Sequence, residues 1–122
     1  MTKTEIIAAM TVAYGVANVD GLKEDEAAML IKELKSYKFA NDPEQYQEAI
    51  ANYKKMPVRE GINIIAQADE AARKEAHALT IYAMCGDGEA SDHEVGAYRL
   101  MKDICNFPPI EDLAEAKAIL GF

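Results

Sequence analysis

Four carboxylates flank two short turns in this chain, and they are the residues best placed to do chemistry. Asp87 and Glu94 bracket one turn, in the stretch Met84-Cys85-Gly86-Asp87-Gly88-Glu89-Ala90-Ser91-Asp92-His93-Glu94. Asp20 and Glu26 bracket the other, in Ala17-Asn18-Val19-Asp20-Gly21-Leu22-Lys23-Glu24-Asp25-Glu26. Each stretch ends an apolar helical run at Asp-Gly, passes through acidic residues and opens a new helix. The two aspartates stand 67 positions apart, which marks an internal duplication. Two such turns brought together offer four carboxylates to a hard divalent cation such as Ca²⁺ or Mg²⁺, with water completing the shell. His93 adds an imidazole that would suit a transition ion such as Zn²⁺.

An EF-hand is excluded. With Asp87 at loop position 5, Gly88 at 6 and Glu94 at 12, positions 1 and 3 fall on Ala83 and Cys85, which supply no oxygen side chain. In the first copy the same positions fall on Val16 and Asn18, and position 12 is Ala27. Turn and cap chemistry accounts for much of the pattern without an ion. Glycine after aspartate relieves left-handed backbone where the chain reverses. Glu94, three residues after Ser91, completes a capping box, and acidic residues favour a helix N-terminus. Lys23 sets a cation beside the first turn's carboxylates and stands where Ser91 caps the second copy. The second copy is therefore the stronger candidate.

Other reactive residue types suggest structure before chemistry. His77 lies in mid-helix among alanines and is expected to be a partly buried or surface histidine, not a ligand or base. Tyr14, Tyr46, Tyr53, Tyr82 and Tyr98 recur at core-facing helical positions, and the six methionines suit a plastic core. Cys85 and Cys105 lack CxxC spacing and fit two reduced, buried thiols. Neither a nucleophile paired with a base nor a glycine-rich phosphate loop can be read from the chain.

The elements that must carry the turns are all helical. Thr2 with Glu5 forms a capping box ahead of Ile6, Met10, Ala13, Tyr14 and Ala17, and Asp20-Gly21 stops this first helix. A second starts near Lys23 or Glu24, with Ala27, Leu30, Ile31 and Leu34 on one face. Asp42-Pro43 opens a third, carrying Tyr46, Ala49, Ile50 and Tyr53 until Pro57 interrupts it. A fourth covers roughly 58–67, and Asp69 caps a fifth that runs to Cys85. Ser91 opens a sixth, with Val95, Tyr98, Met101, Ile104 and Cys105 apolar, which Pro108-Pro109 ends. The last holds Leu113, Ala116 and Ile119 or Leu120, with Gly121 as its stop. Helices one and two, and again five and six, form hairpins pivoting on Asp-Gly. The economical packing sets the two hairpins about a pseudo-twofold axis.

The chain has 122 residues, enough for one domain with a core that needs no staple. A net charge of −8 and a pI near 4.7 argue against nucleic-acid backbones and anionic membrane surfaces. The uncharged stretch from Ile6 to Val19 spans about 21 Å as a helix, too short to cross a bilayer. It also lacks the basic start and small-residue end of a signal peptide, so a cytoplasmic location is expected.

At the Asp-Gly turns the sequence resembles the tellurite-resistance TerB-like family, which includes a domain of DjlA-type membrane co-chaperones. Its signature is an alanine-rich helix ending in A-x-A-D-G-x-x-x-x-x-E, present twice. Val16-Ala17-Asn18-Val19-Asp20-Gly21 with Glu26 matches once, and the stretch from Met84 to Glu94 matches again. The second copy keeps the Asp-to-Glu interval of seven, the first has six, and the residue before Asp is Val19 or Gly86 instead of alanine.

The resemblance implies an all-α, compact bundle of about seven helices over residues 1–122, with internal repeats at about 4–40 and 69–107. It implies a non-enzymatic module in metal or oxyanion stress, working through protein partners that could hold it peripherally at the membrane. The carried-over cation ligands are Asp20, Asp87 and Glu94, with Glu26 displaced by the shorter loop. Against this stands a structural or interaction domain whose acidic turns are only caps. A carboxylate-dependent hydrolase is a distant third, because it would need an open pocket between the turns.

Overall fold

The computed structural model of the protein describes residues 2–17, 51–85 and 90–121, with Lys54 described by its backbone alone. Helix α1 runs Lys3–Ala17, followed in the described residues by a short 3₁₀ turn, Tyr53–Lys55. Helices α2 (Val58–Ala66), α3 (Glu70–Cys85), α4 (Asp92–Ile104) and α5 (Leu113–Leu120) complete them. Among these residues there is no strand, so the all-helical expectation holds. The second helix, most of the third and both Asp-Gly turns lie outside the described residues, and with them the proposed pseudo-twofold hairpins.

Helix α1 starts where Thr2 and Glu5 predict. The Thr2 amide donates to Glu5 Oε1 at 2.8 Å, and the Glu5 amide donates to Thr2 Oγ1 at 3.1 Å. Beyond that cap the helix is apolar on every side, and Ile6, Ala8, Ala9, Met10, Thr11, Val12, Ala13, Val16 and Ala17 are all buried. A helix with no polar face has to be surrounded. Its largest interface is with α3, which is likewise buried without interruption from Ala76 to Met84. Alanines on both helices let the two axes approach, with Ile6, Met10, Leu79 and Ile81 filling the space around them.

The remaining elements cover this pair. Helix α2 lies on α1, α5 lies on α3, and α4 touches α1, α2 and α3 through narrower interfaces. Thr11, inside α1, shares its hydroxyl proton between the carbonyls of Ile7 at 2.8 Å and Tyr53 at 2.7 Å. The bond to Tyr53 ties the 3₁₀ turn to α1. Asp69 caps α3 through the Ala72 amide at 2.7 Å, and Asp112 caps α5 through the Glu115 amide at 2.9 Å. Gly121, at φ 93°, closes α5 as its position predicts.

The end of α4 differs from expectation. The helix stops before the prolines because Asn106 adopts the left-handed region at φ 53°. The Phe107 amide then bonds the Lys102 carbonyl at 3.1 Å and the Asn106 amide bonds that of Asp103 at 3.3 Å, a Schellman turn with asparagine in glycine's usual place. Arg73 braces it by donating to the carbonyls of both Asn106 and Ala68. Ile104, expected on the buried face, is 47% exposed. The reason is the shallow seat of α4: Val95, Tyr98 and Met101 are only half-buried, and the one fully buried residue within the helix is Glu94.

Two helix-interior glycines respond differently to a methyl group. A Cβ on Gly61, in α2, would lie 3.3 Å from the Ala8 carbonyl oxygen and from Thr11 Cβ, because the α1 backbone passes beneath it. A Cβ on Gly96, in α4, would meet nothing within 4 Å. Gly96→Ala is therefore expected to raise the stability of the fold by about 0.5–1 kcal/mol, the helix-propensity gain. Gly61→Ala forfeits that gain against the contact with α1 and is expected to lower stability. Chemical denaturation of the two variants beside the wild type checks both signs.

Candidate functional site

Of the four carboxylates singled out by spacing, the structure places Glu94. It sits at the third position of α4, and the capping box is formed in both directions. Ser91 Oγ accepts from the Glu94 amide at 3.1 Å, and Glu94 Oε1 accepts from the Ser91 amide at 2.9 Å. Ser91 holds the extended backbone an N-cap requires, at φ −72° and ψ 164°. The third helical position faces inward here, so Glu94 is fully buried while Asp92 and His93, one turn-position earlier, are exposed.

That arrangement constrains any cation site. A carboxylate oxygen is the donor a hard divalent ion takes, but Oε1 already holds the Ser91 amide, and Oε2 is sealed from solvent. An ion at Glu94 would have to reach an oxygen withdrawn from the surface at which Asp92 and His93 are exposed. Among the described residues no three of His, Cys, Asp and Glu come together as a metal-holding group, so His93 joins no such set there. Asp20, Glu26 and Asp87 lie outside the described residues, as does Lys23.

The polar centre that sequence reasoning missed is His77. It is fully buried in α3, not partly exposed as expected. Its ring lies nearly parallel to Phe107, with centroids 4.8 Å apart and planes 13° apart, and is stacked at 5.6 Å on Tyr98. Nδ1 is 2.7 Å from the Pro108 carbonyl oxygen and Nε2 is 2.6 Å from the Tyr98 hydroxyl. A carbonyl can only accept, so Nδ1 carries the proton, and Nε2 accepts from the tyrosine O–H. The neutral ring is thus satisfied at both ends and joins α3 to α4 and to the segment after it. Burial lowers the His77 pKa below its ordinary 6.5; the Pro108 carbonyl and Glu115 oppose that shift, and Lys102 adds to it.

His77 could not be recognised from its neighbours, because the three groups that hold it lie 21 to 31 residues further along the chain. Tyr98 is its half-buried outer partner, and burial and the nearby Cys85 both push the phenol's pKa upward. Both cysteines are free thiols, as expected, although Cys85 is half-buried and only Cys105 is sealed. The Cys105 thiol lies 4.0 Å from the Ile62 carbonyl, and burial pushes its pKa up to about 11. A thiol held in that form is a poor nucleophile. Of the expected core tyrosines, Tyr53 and Tyr82 are buried, Tyr14 packs edge-on against Tyr53 at 5.6 Å, and Tyr46 lies outside the described residues.

Fold and geometry together define an all-helical domain built on a buried helix pair. No family model matches the chain, and no curated protein matches it. Among solved structures it is similar to the crystal structure of PG1108 from Porphyromonas gingivalis W83, a protein of unknown function. The TM-score is 0.78 at 18% sequence identity, over 100% of this chain and 91% of that one. A likeness at that identity shows a shared fold. Among the described residues no helix is long and apolar enough to cross a membrane.

Two measurements test the chemistry assigned to these groups. Between the lowered pKa of folded His77 and the 6.5 of an ordinary histidine, the unfolded chain binds more protons than the native one. The contribution of His77 is therefore complete above pH 6.5 and lost as pH falls below it. Denaturation free energies measured across this range should decline on the acid side, and His77→Gln should flatten that part of the curve while lowering stability at neutral pH. With a thiol reagent at neutral pH, the native protein should modify Cys85 first, and Cys105 should react only at the rate of unfolding. Mass spectrometry of the labelled peptides reads the order.

Proposed function

We propose that this chain is a non-enzymatic helical module of the TerB-like kind, which binds a divalent cation weakly at its acidic Asp-Gly turns and acts through protein contacts. The observation that carries the reading is the doubled Asp-Gly-to-Glu phrase on a chain of net charge −8. The second copy, with Asp87 and Glu94 at the full interval of seven, is the stronger half, and Asp20 with Glu26 is the weaker. Burial of Glu94 beside that turn supports the choice, because a carboxylate withdrawn from water gains more from a nearby cation than an exposed one does. The all-helical frame of the described residues accords with this reading, and about seven helices in paired hairpins are part of the proposal. The tellurite and metal-stress context is carried by the resemblance alone, and the peripheral membrane role by way of a partner comes from the same source.

A second reading is favoured by one specific contact, the completed Ser91–Glu94 capping box. In it the acidic turns are folding devices, and the protein is a structural or interaction domain that binds no ion. The two readings separate in a thermal melt. Under the first, millimolar Ca²⁺, Mg²⁺ or Zn²⁺ raises the melting temperature of the wild type, and Asp20→Ala/Asp87→Ala abolishes the rise. Glu94→Gln, which keeps the capping box and removes the charge, should also reduce it. Under the second, Asp87→Ala lowers stability by about 1 kcal/mol whatever ion is present. An ion-induced rise that is absent, or equal in the double variant, removes the cation claim.

A further inference from the structure

The ring of His77 and the groups that enclose it belong to elements held with unequal firmness. His77 stands on α3, within the stretch from Ala76 to Met84 that is buried without interruption, and α3 has broad interfaces with α1 and α5. Its cover is Tyr98 of α4, with Phe107 and Pro108 just beyond that helix. Helix α4 touches α1, α2 and α3 through narrow interfaces, and its inner residues Val95, Tyr98 and Met101 are half-buried. After Glu94 the next fully buried residues follow the end of the helix, at Cys105, Phe107 and Pro108. The ring is fixed, and its cover is seated on the shallow helix.

A proton on the ring upsets this arrangement. In the neutral ring Nδ1 donates to the Pro108 carbonyl and Nε2 accepts from the Tyr98 hydroxyl. A proton added at Nε2 turns that acceptor into a donor, so the tyrosine O–H must swing away from it. The ring then carries a buried charge, and both groups bonded to its nitrogens are uncharged. Of the charged groups acting on the ring, Lys102 on α4 repels the imidazolium and Glu115 on α5 attracts it. From Ile6 to Ala17 α1 has no charged residue, and Arg59 and Glu60 of α2 are exposed. On α3 itself, Arg73 is engaged by the carbonyls of Asn106 and Ala68. The nearby Cys105 thiol is held protonated by burial and brings no countercharge. Water would relieve the charge, and α3 cannot turn outward to meet it without parting from α1. The cover has to move instead.

We infer that His77 is an acid-sensitive latch: proton uptake by its ring releases Tyr98 and the Phe107–Pro108 segment, and the C-terminal half of α4 lifts from α3 while the α1–α3 pair stays closed. Burial lowers the pKa of the closed ring, whereas the open ring, in water, takes its proton at the ordinary 6.5. The open form therefore binds more protons below pH 6.5, and opening grows there by at most about tenfold per pH unit, the slope for one group. The latch differs from a general loss of stability in acid, because one part of the fold opens before the whole. It uses none of the turn carboxylates and stands apart from the cation reading.

Hydrogen exchange of the full chain, read by mass spectrometry from neutral pH down to about pH 5 and corrected for the intrinsic pH dependence of amide exchange, tests it. Peptides from 98–108 should lose protection as the pH falls, while those from 6–16 and 76–84 keep theirs. His77→Gln, which cannot take up a proton, should leave the protection of 98–108 independent of pH. Two milder variants keep the test sharp if that one folds poorly. Lys102→Gln removes a charge that opposes the imidazolium in the closed form, so opening should move to lower pH. Glu115→Gln removes one that favours it and should move opening to higher pH. Protection of 98–108 that does not change with pH, or that falls together with that of 6–16 and 76–84, overturns the latch. A pH dependence that survives His77→Gln, or that the two charge variants do not shift in opposite directions, overturns its assignment to His77.

Discussion

The packing of α1 against α3 is the constraint on which the rest of the structure depends. Helix α1 is apolar on every side beyond its cap, and α3 is buried without interruption from Ala76 to Met84, so over that stretch neither has a face to turn to water. Their alanines allow a close approach, and the other described helices cover part of what the pair leaves open. Helix α2 does this for α1, α5 does it for α3, and α4 closes part of the remaining gap. The close passage of Gly61 over the Ala8 carbonyl and the Thr11 bond to Tyr53 fix α2 and the turn before it to the same backbone. A central pair of this kind tolerates little change in volume, because it is enclosed on all sides.

The polar groups inside the fold follow a common rule. Thr11, His77 and Glu94 are each buried, and each has a partner on the backbone of another residue. Those partners serve position: the turn at Tyr53, the bend at Pro108 and the start of α4 are each located by a buried side chain. His77 is the most connected, because its ring holds Phe107 by stacking and Pro108 by a hydrogen bond, both just past the Schellman turn. Arg73 grips the same turn from the outside. The segment between α4 and α5 is thus fastened from two sides without secondary structure of its own.

How much of this could be read from the chain depended on the range of the interaction involved. Capping is decided within four residues, and the boxes at Thr2–Glu5 and Ser91–Glu94, the cap at Asp69 and the stop at Gly121 all lie where local pattern puts them. Burial is decided by elements far apart in sequence, and there local pattern failed at particular residues. Among alanines in mid-helix His77 reads as partly buried or at the surface, because the groups that enclose it are remote in sequence, and Ile104 reads as buried because apolar spacing does not reveal how shallowly a helix sits. Asn106 ended α4 two residues before the first proline, since left-handed asparagine does the work usually ascribed to glycine. At the candidate site, Glu94 was recognisable as a cap, and its full burial was not. Asp20, Glu26 and Asp87 lie outside the described residues.

The mutual dependence of α1 and α3 also bears on how the protein is made. During synthesis α1 leaves the ribosome with apolar side chains on every side, and the helix that must enclose it begins only at Glu70. At roughly 5–20 residues per second, that leaves the first helix without its main partner for several seconds. A newly made chain of this design presents an adhesive segment in that interval, and its yield in the cell depends on what shields residues 3–17 until the second half of the polypeptide arrives.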